Sequence, residues 1–299
     1  MSVNSALQVP GRPDTPLSVL ELLKPITWFP PMWAYLCGIV SAGVWPGSDW
    51  VLVLLGIVLA GPVVCGMSQA ANDWCDRHVD AINEPDRPIP SGRVPAPLAL
   101  SIAIAMSVAA LFVAWPLGPW GFGATIVAVA AAWAYSAWPL RLKRSALWGP
   151  GLVGLCYEGL PWFTGAAVLS AGAPAFPVIA VATLYAIGAH GIMTLNDFKA
   201  VEGDRATGIR SLPVIKGPDV AARIACVTMA LPQSLVATLL LIWGAPVFAG
   251  LVALSLAVQM RLMGGLLRDP LGQAPRYAAT GVTLYVAGMM LAAFAIRGL

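Results

Sequence analysis

Charge is what this sequence has least of. Asp, Glu, Lys and Arg together make up 10% of its 299 residues, against roughly 25% in a soluble domain. With 59% hydrophobic residues and a mean hydropathy of +0.79, that shortage excludes a soluble globular fold, whose interior is too small to hide so much apolar surface. The lipid bilayer is the solvent instead. The net charge of +3 is too small to argue for a nucleic-acid partner, and none is expected. Histidine is nearly absent, with only His78 and His190, which leaves no obvious His–acid catalytic pair. The five cysteines, Cys37, Cys65, Cys75, Cys156 and Cys226, lack metal-ligand or disulfide spacing and read as apolar filler. The start, MSVNSALQVPGRPDTP, lacks the apolar core of a signal peptide. Residues 1–20 therefore read as a flexible tail, and 21–299 as a single membrane domain.

What is there is hydrocarbon in lengths that cross a bilayer. Nine apolar segments stand out, roughly 28–46, 50–72, 97–116, 119–138, 149–169, 176–196, 220–243, 245–264 and 277–296. An all-α polytopic protein with nine transmembrane helices is expected. Basic residues fall on alternate connections: Arg77, Arg87 and Arg93, then Arg141, Lys143 and Arg144, then Lys199, Arg205, Arg210 and Lys216, then Arg261, Arg268 and Arg276. The intervening connections carry no Lys or Arg. By the positive-inside rule the N-terminus and the basic connections are cytoplasmic, and the C-terminus is on the far side.

The scarce charge is also concentrated. Asn72-Asp73-Trp74-Cys75-Asp76-Arg77-His78-Val79-Asp80 is echoed by Asn196-Asp197-Phe198-Lys199-Ala200-Val201-Glu202-Gly203-Asp204. Each copy closes an apolar helix on the cytoplasmic side, as expected for two pseudo-repeated halves with motifs at 72–80 and 196–204. If each helix continues, Asp73, Asp76 and Asp80 share one face, and so do Asp197 and Asp204; Glu202 lies off it. Five like charges around one cavity need a cation. Mg²⁺ fits, because it takes oxygen ligands and completes its shell with water and substrate phosphates. Two facing aspartate clusters would hold a diphosphate between Mg²⁺ ions, with Asn72, Arg87, Arg93, Lys143, Asn196 and Arg210 around it. A cation transporter is the competing reading, since acids in membrane helices often mark ion pathways. Transport sites lie nearer the midplane, whereas these acids sit at the cytoplasmic end beside arginines.

These motifs resemble the UbiA superfamily of intramembrane prenyltransferases, and within it the chlorophyll and bacteriochlorophyll synthases. The stretches that carry the resemblance are LLKPITWFPPMWAYLCG (22–38), NDWCDRHVDAINEPDRPIPSGRV (72–94), AYSAWPLRLKR (134–144), LCYEGLPWFTGAAV (155–168) and NDFKAVEGDRATGIRSLPV (196–214). LCYEGLPWFTG is more similar to the bacteriochlorophyll branch. The resemblance implies a UbiA-type bundle around a central cavity, in the inner or intracytoplasmic membrane of a bacterium. It implies Mg²⁺-dependent transfer of a geranylgeranyl or phytyl group from its diphosphate to the propionate of bacteriochlorophyllide a. Chlorophyllide, or an aromatic or quinone precursor, is the alternative acceptor. Contacts with other pigment-biosynthesis or photosystem-assembly proteins fit the same setting. Tyr135, Tyr157 and Trp162 would line the cavity, and His190, seven residues before Asp197, would be placed to ligate the pigment's magnesium. Ala200 is a departure, since many relatives carry an aspartate there.

Overall fold

The computed structural model describes residues 15–44, 47, 49–170, 172–297 and 299. Residues 1–14 of the expected tail, and Trp45 and Pro46 at the end of the first expected span, lie outside these. A chain in lipid has to satisfy its backbone polar groups internally, which favours helices. No strand occurs among the described residues; one isolated bridge joins Ser145 to Arg210.

Helix α1, Thr15–Leu23, leads into α2, Phe29–Ser41. Among the described residues, seven stretches are long and apolar enough to cross a membrane. The first is α3, Trp50–Asn83. The second, Ala96–Ser136, is broken at Gly118, whose φ of 78° belongs to the left-handed region that suits glycine. It therefore forms two helices, α4 (Ala96–Ala114) and α5 (Gly118–Ser136), tied by a 3.0 Å hydrogen bond from Trp133 Nε1 to Ser107 Oγ. The others are α6 (Trp148–Ser170), α7 (Phe176–Asp197), α10 (Pro218–Ile242), α11 (Pro246–Leu266) and α12 (Pro270–Ala295). Two short helices, α8 (Val201–Thr207) and α9 (Leu212–Lys216), stand between α7 and α10. With α2 this matches the nine expected segments.

Three boundaries differ from expectation. Helix α2 has 13 residues, about 20 Å at 1.5 Å per residue, and ends before Gly43, which has φ 72°. Helix α3 does not stop at 72 but runs on to Asn83, so the expected loop begins as helix. Helix α12 starts at Pro270 rather than near 277.

Helices α2 and α6 cross almost backbone to backbone. A Cβ built on Gly38 would lie 2.1 Å from the Trp162 carbonyl oxygen, and one on Gly165 would lie 2.2 Å from that of Tyr35. Small residues at such crossings are how membrane helices gain close packing without a hydrophobic drive. Deeper in, Gln233 and Gln259 exchange amide hydrogen bonds of 3.1 and 3.0 Å between α10 and α11. Helices α3 and α6 each widen into a π-helical turn, at Leu59–Cys65 and Leu155–Gly159. Pro62 explains the first, because it has no N–H for the regular ladder. Both wide turns border the cavity described next.

Candidate active site

Because α3 continues to Asn83, Asp73, Asp76 and Asp80 project from one side of a single helix. Each meets cations from elsewhere in the chain. Lys24 Nζ lies 2.7 Å from Asp73 Oδ1. The Arg87 guanidinium reaches Asp80 at 2.9 Å and Asp73 at 3.4 Å, and also clasps Glu84. Arg141 is 3.0 Å from Asp76, and Lys143 pairs with the other oxygen of that carboxylate. Asp73 Oδ2 remains buried with no hydrogen-bond partner. Burial lowers the Lys143 pKa, while the Asp76 carboxylate beside it acts in the opposite direction. His78 is exposed on the far side of the helix.

The second motif is built differently. Helix α7 ends at Asp197, and a turn over Phe198–Ala200 separates it from α8, which carries Asp204. The expectation that these two aspartates share one continuous helical face therefore fails, although their charges still interact. Neither carboxylate pairs with a Lys or Arg among the described residues, in contrast to all three in the first motif. Burial holds the Asp204 carboxyl above its ordinary pKa. No group of three or more His, Cys, Asp and Glu side chains converges closely enough to hold a metal among the described residues.

One residue of each motif, and none of the five aspartates, lines a cavity of about 410 Å³. Asn72 and Asn196 both line it, the first also donating to Ser136 Oγ at 3.1 Å. Tyr135 lines it as expected, and so does Tyr157, whose hydroxyl lies 3.3 Å from both Cys65 Sγ and Gln69 Nε2. The remaining wall is largely apolar, with Val64, Ala128, Ala132, Leu152 and Ile192.

Four expected members stand apart. Trp162 is packed in the core, fully buried, stacked on Tyr185 with ring centroids 5.8 Å apart and bonded to Ser41 Oγ. Its indole is taken up by the α2–α6 crossing and does not line the cavity. His190 lines a separate groove between α6, α7 and α10, and both its ring nitrogens are buried without a partner. Arg93 is bound to Glu21 and to the Asp86 carbonyl. Arg210 is exposed on the outside, beside Arg144. Conversely, three contributors were not anticipated. Lys24 and Arg141 both have positive φ, 48° and 40°, and both pair with the first motif. Glu158 lines the cavity at 7% exposure, with Oε2 unpartnered. A lone acid inside an apolar helix was the available signal for it.

This fold and this site define a class. Residues 28–285 match the model of the UbiA prenyltransferase family. The chain belongs to that family and is a multi-pass membrane prenyltransferase. It is 68% identical over 299 residues to the bacteriochlorophyll synthase 33 kDa chain of Cereibacter sphaeroides, covering 100% of this chain and 99% of that one. Identity to the protein of the same description from Rhodobacter capsulatus is 64% over 286 residues, covering 95% and 94%. Chloroplastic chlorophyll synthase of Arabidopsis thaliana is more distant, at 36% over 286 residues, with 92% and 73% covered. Among solved structures, a UbiA homolog from Archaeoglobus fulgidus bound to GPP and Mg²⁺ superposes with a TM-score of 0.75 at 22% identity, covering 94% of this chain and 100% of that one. The transporter reading finds no support in these relatives.

Proposed function

We infer that this chain transfers a geranylgeranyl or phytyl group from its diphosphate to the propionate carboxylate of bacteriochlorophyllide a, as a bacteriochlorophyll synthase does. The observation that carries the transferase chemistry is the shared cavity, with Asn72 and Asn196 from the two motifs at its wall and apolar side chains around them. The preference for bacteriochlorophyllide over chlorophyllide rests on the higher identity to the bacterial synthases.

The reaction forms one bond and breaks one. A propionate oxygen attacks C1 of the allylic diphosphate, and the C1–O bond breaks with its electron pair leaving on diphosphate. The acceptor is already a carboxylate at neutral pH, so no general base is needed. This chain's part is to hold the diphosphate at the motif end, keep the prenyl tail in the cavity and exclude water from the developing cation.

Mg²⁺ suits the donor set. Asp73 has a buried oxygen without a partner, and Asp197 and Asp204 have no basic partner among the described residues. Since no three acids converge among the described residues, each ion would take one or two carboxylates and complete its shell with diphosphate and water, which is how Mg²⁺ is commonly held. Asp73, Asp76, Asp80, Asp197 and Asp204 would hold it, and it would neutralise charge on the leaving diphosphate. Arg87 and Lys143 would add hydrogen bonds to the diphosphate. The membrane we assign is the cytoplasmic or intracytoplasmic one of a bacterium, with both motifs facing the cytoplasm.

Purified protein incubated with geranylgeranyl diphosphate, bacteriochlorophyllide a and Mg²⁺ should yield esterified pigment, and EDTA should abolish it. No product, or equal product in EDTA, would overturn the reading.

A further inference from the structure

A further concavity, of about 560 Å³, lies on the connection between α5 and α6, outside the cavity lined by Asn72 and Asn196. Trp138, Leu140 and Leu147 make its apolar side, and all three are strongly exposed, Trp138 at 84%. Arg141, Arg144 and Arg210 make its polar side, and no carboxylate lines it among the described residues. The groove is built by contact between the two motif halves: the Arg210 N–H donates to the Arg144 carbonyl at 3.2 Å, and the Arg144 guanidinium donates to the Gly208 carbonyl at 3.1 Å. At one end it meets the first aspartate motif, because Arg141 both lines the groove and lies 3.0 Å from Asp76.

Three features together specify an occupant. An exposed indole with neighbouring leucines takes a flat apolar face. Arginine forks take a carboxylate in bidentate fashion. Arg141 joins the groove to Asp76, so a carboxylate held there lies beside the motif assigned above to the diphosphate. The cavity lined by Asn72 and Asn196, at about 410 Å³, is the size of a pocket for one small ligand, which with the prenyl chain inside leaves the macrocycle to a separate surface.

We propose that this groove docks the tetrapyrrole acceptor, with the macrocycle against Trp138 and Leu140 and the propionate guided by Arg144 and Arg210 towards Arg141. The inference rests on the function proposed above and adds where its second substrate sits. Trp138 and Arg144 are then positioning residues for the acceptor alone.

The test is steady-state esterification by full-length protein in phosphatidylcholine nanodiscs, with bacteriochlorophyllide a and geranylgeranyl diphosphate varied separately. Trp138→Ala and Arg144→Ala should each raise the acceptor KM about five- to tenfold, the scale of losing one aromatic or charged anchor, with the donor KM unchanged. Trp138→Phe should keep the acceptor KM near wild type, which also guards against misfolding of the alanine variant. Absorbance titration of the pigment without donor or Mg²⁺ should show the same order of affinities. An unchanged acceptor KM, or a donor KM rising in step with it, would overturn the inference and leave Trp138 as a bilayer anchor. Wild-type protein that forms no ester would instead overturn the proposed function, so the two failures are distinguishable.

Discussion

Lys24 Nζ sits 2.7 Å from Asp73 Oδ1, across 49 residues of sequence, and ties the entry to α2 to the start of the first motif. Asp73 is 2% exposed, and its Oδ1 has Lys24 and, at 3.4 Å, Arg87 as ion-pair partners. Lys24→Met should destabilise the protein by about 1–3 kcal/mol, since a buried acceptor loses its main donor while a weaker one stays. Lys24→Met with Asp73→Asn should be milder than Lys24→Met alone. Thermal unfolding in detergent, read as a double-mutant cycle, measures both; additive losses would mean that the pair is not coupled.

Asp76 pairs with both Arg141 and Lys143. Asp76→Ala should lower kcat/KM by about a hundredfold, the scale of losing one preorganised electrostatic contact, and raise the Mg²⁺ concentration needed for half-maximal rate. Activity near wild type would remove Asp76 from the metal site.

The second motif sets a pH dependence. Burial holds the Asp204 carboxyl above its ordinary pKa. Mg²⁺ binds the deprotonated form, so protons compete and Mg²⁺ affinity should strengthen as pH rises through that raised pKa. The stability sign is opposite. A carboxyl whose folded pKa exceeds its unfolded one favours the fold at low pH, and metal-free stability from this group declines between the unfolded and folded pKa values. Calorimetric Mg²⁺ titrations across that range check the first part, and Asp204→Asn should flatten the response.

Glu158 is a carboxyl at 7% exposure whose Oε2 has no partner. Replacing an unsatisfied buried polar group by an apolar isostere recovers its desolvation cost, so Glu158→Leu should stabilise the ligand-free protein by about 1–3 kcal/mol. A lower unfolding midpoint would show that the carboxyl supports the fold after all.

The α2–α6 crossing makes a packing prediction. A Cβ on Gly165 would stand 2.2 Å from the Tyr35 carbonyl oxygen, and backbone cannot yield as a side chain can. Gly165→Ala should destabilise by about 1–3 kcal/mol as an overpacked contact. Gly203→Ala, where nothing lies within 4 Å, should be neutral or slightly stabilising in its helix. Comparable yields and unfolding midpoints for the two variants would contradict the crossing.

The sequence by itself determined the membrane as solvent, the nine helical segments and the two Asn-Asp motifs. These follow from composition and local periodicity, which the bilayer enforces because it leaves no partner for an unpaired backbone group. Tertiary structure decided which side chains surround the site. Lys24 and Arg141 reach the first motif from 49 and 65 residues away, distances at which spacing carries no information. Trp162 and Tyr157 look alike as aromatics five residues apart on one helix, yet one stacks on Tyr185 in the core and the other lines the cavity. The difference is the direction of the side chain around a helix with a π-helical turn, which is set by what packs against it. Asp197 and Asp204 keep the seven-residue spacing of Asp73 and Asp80, but the turn at Phe198–Ala200 puts them on two helices. Spacing alone could not distinguish the two motifs; the fold made one a continuous helix and the other a helix, a turn and a second helix.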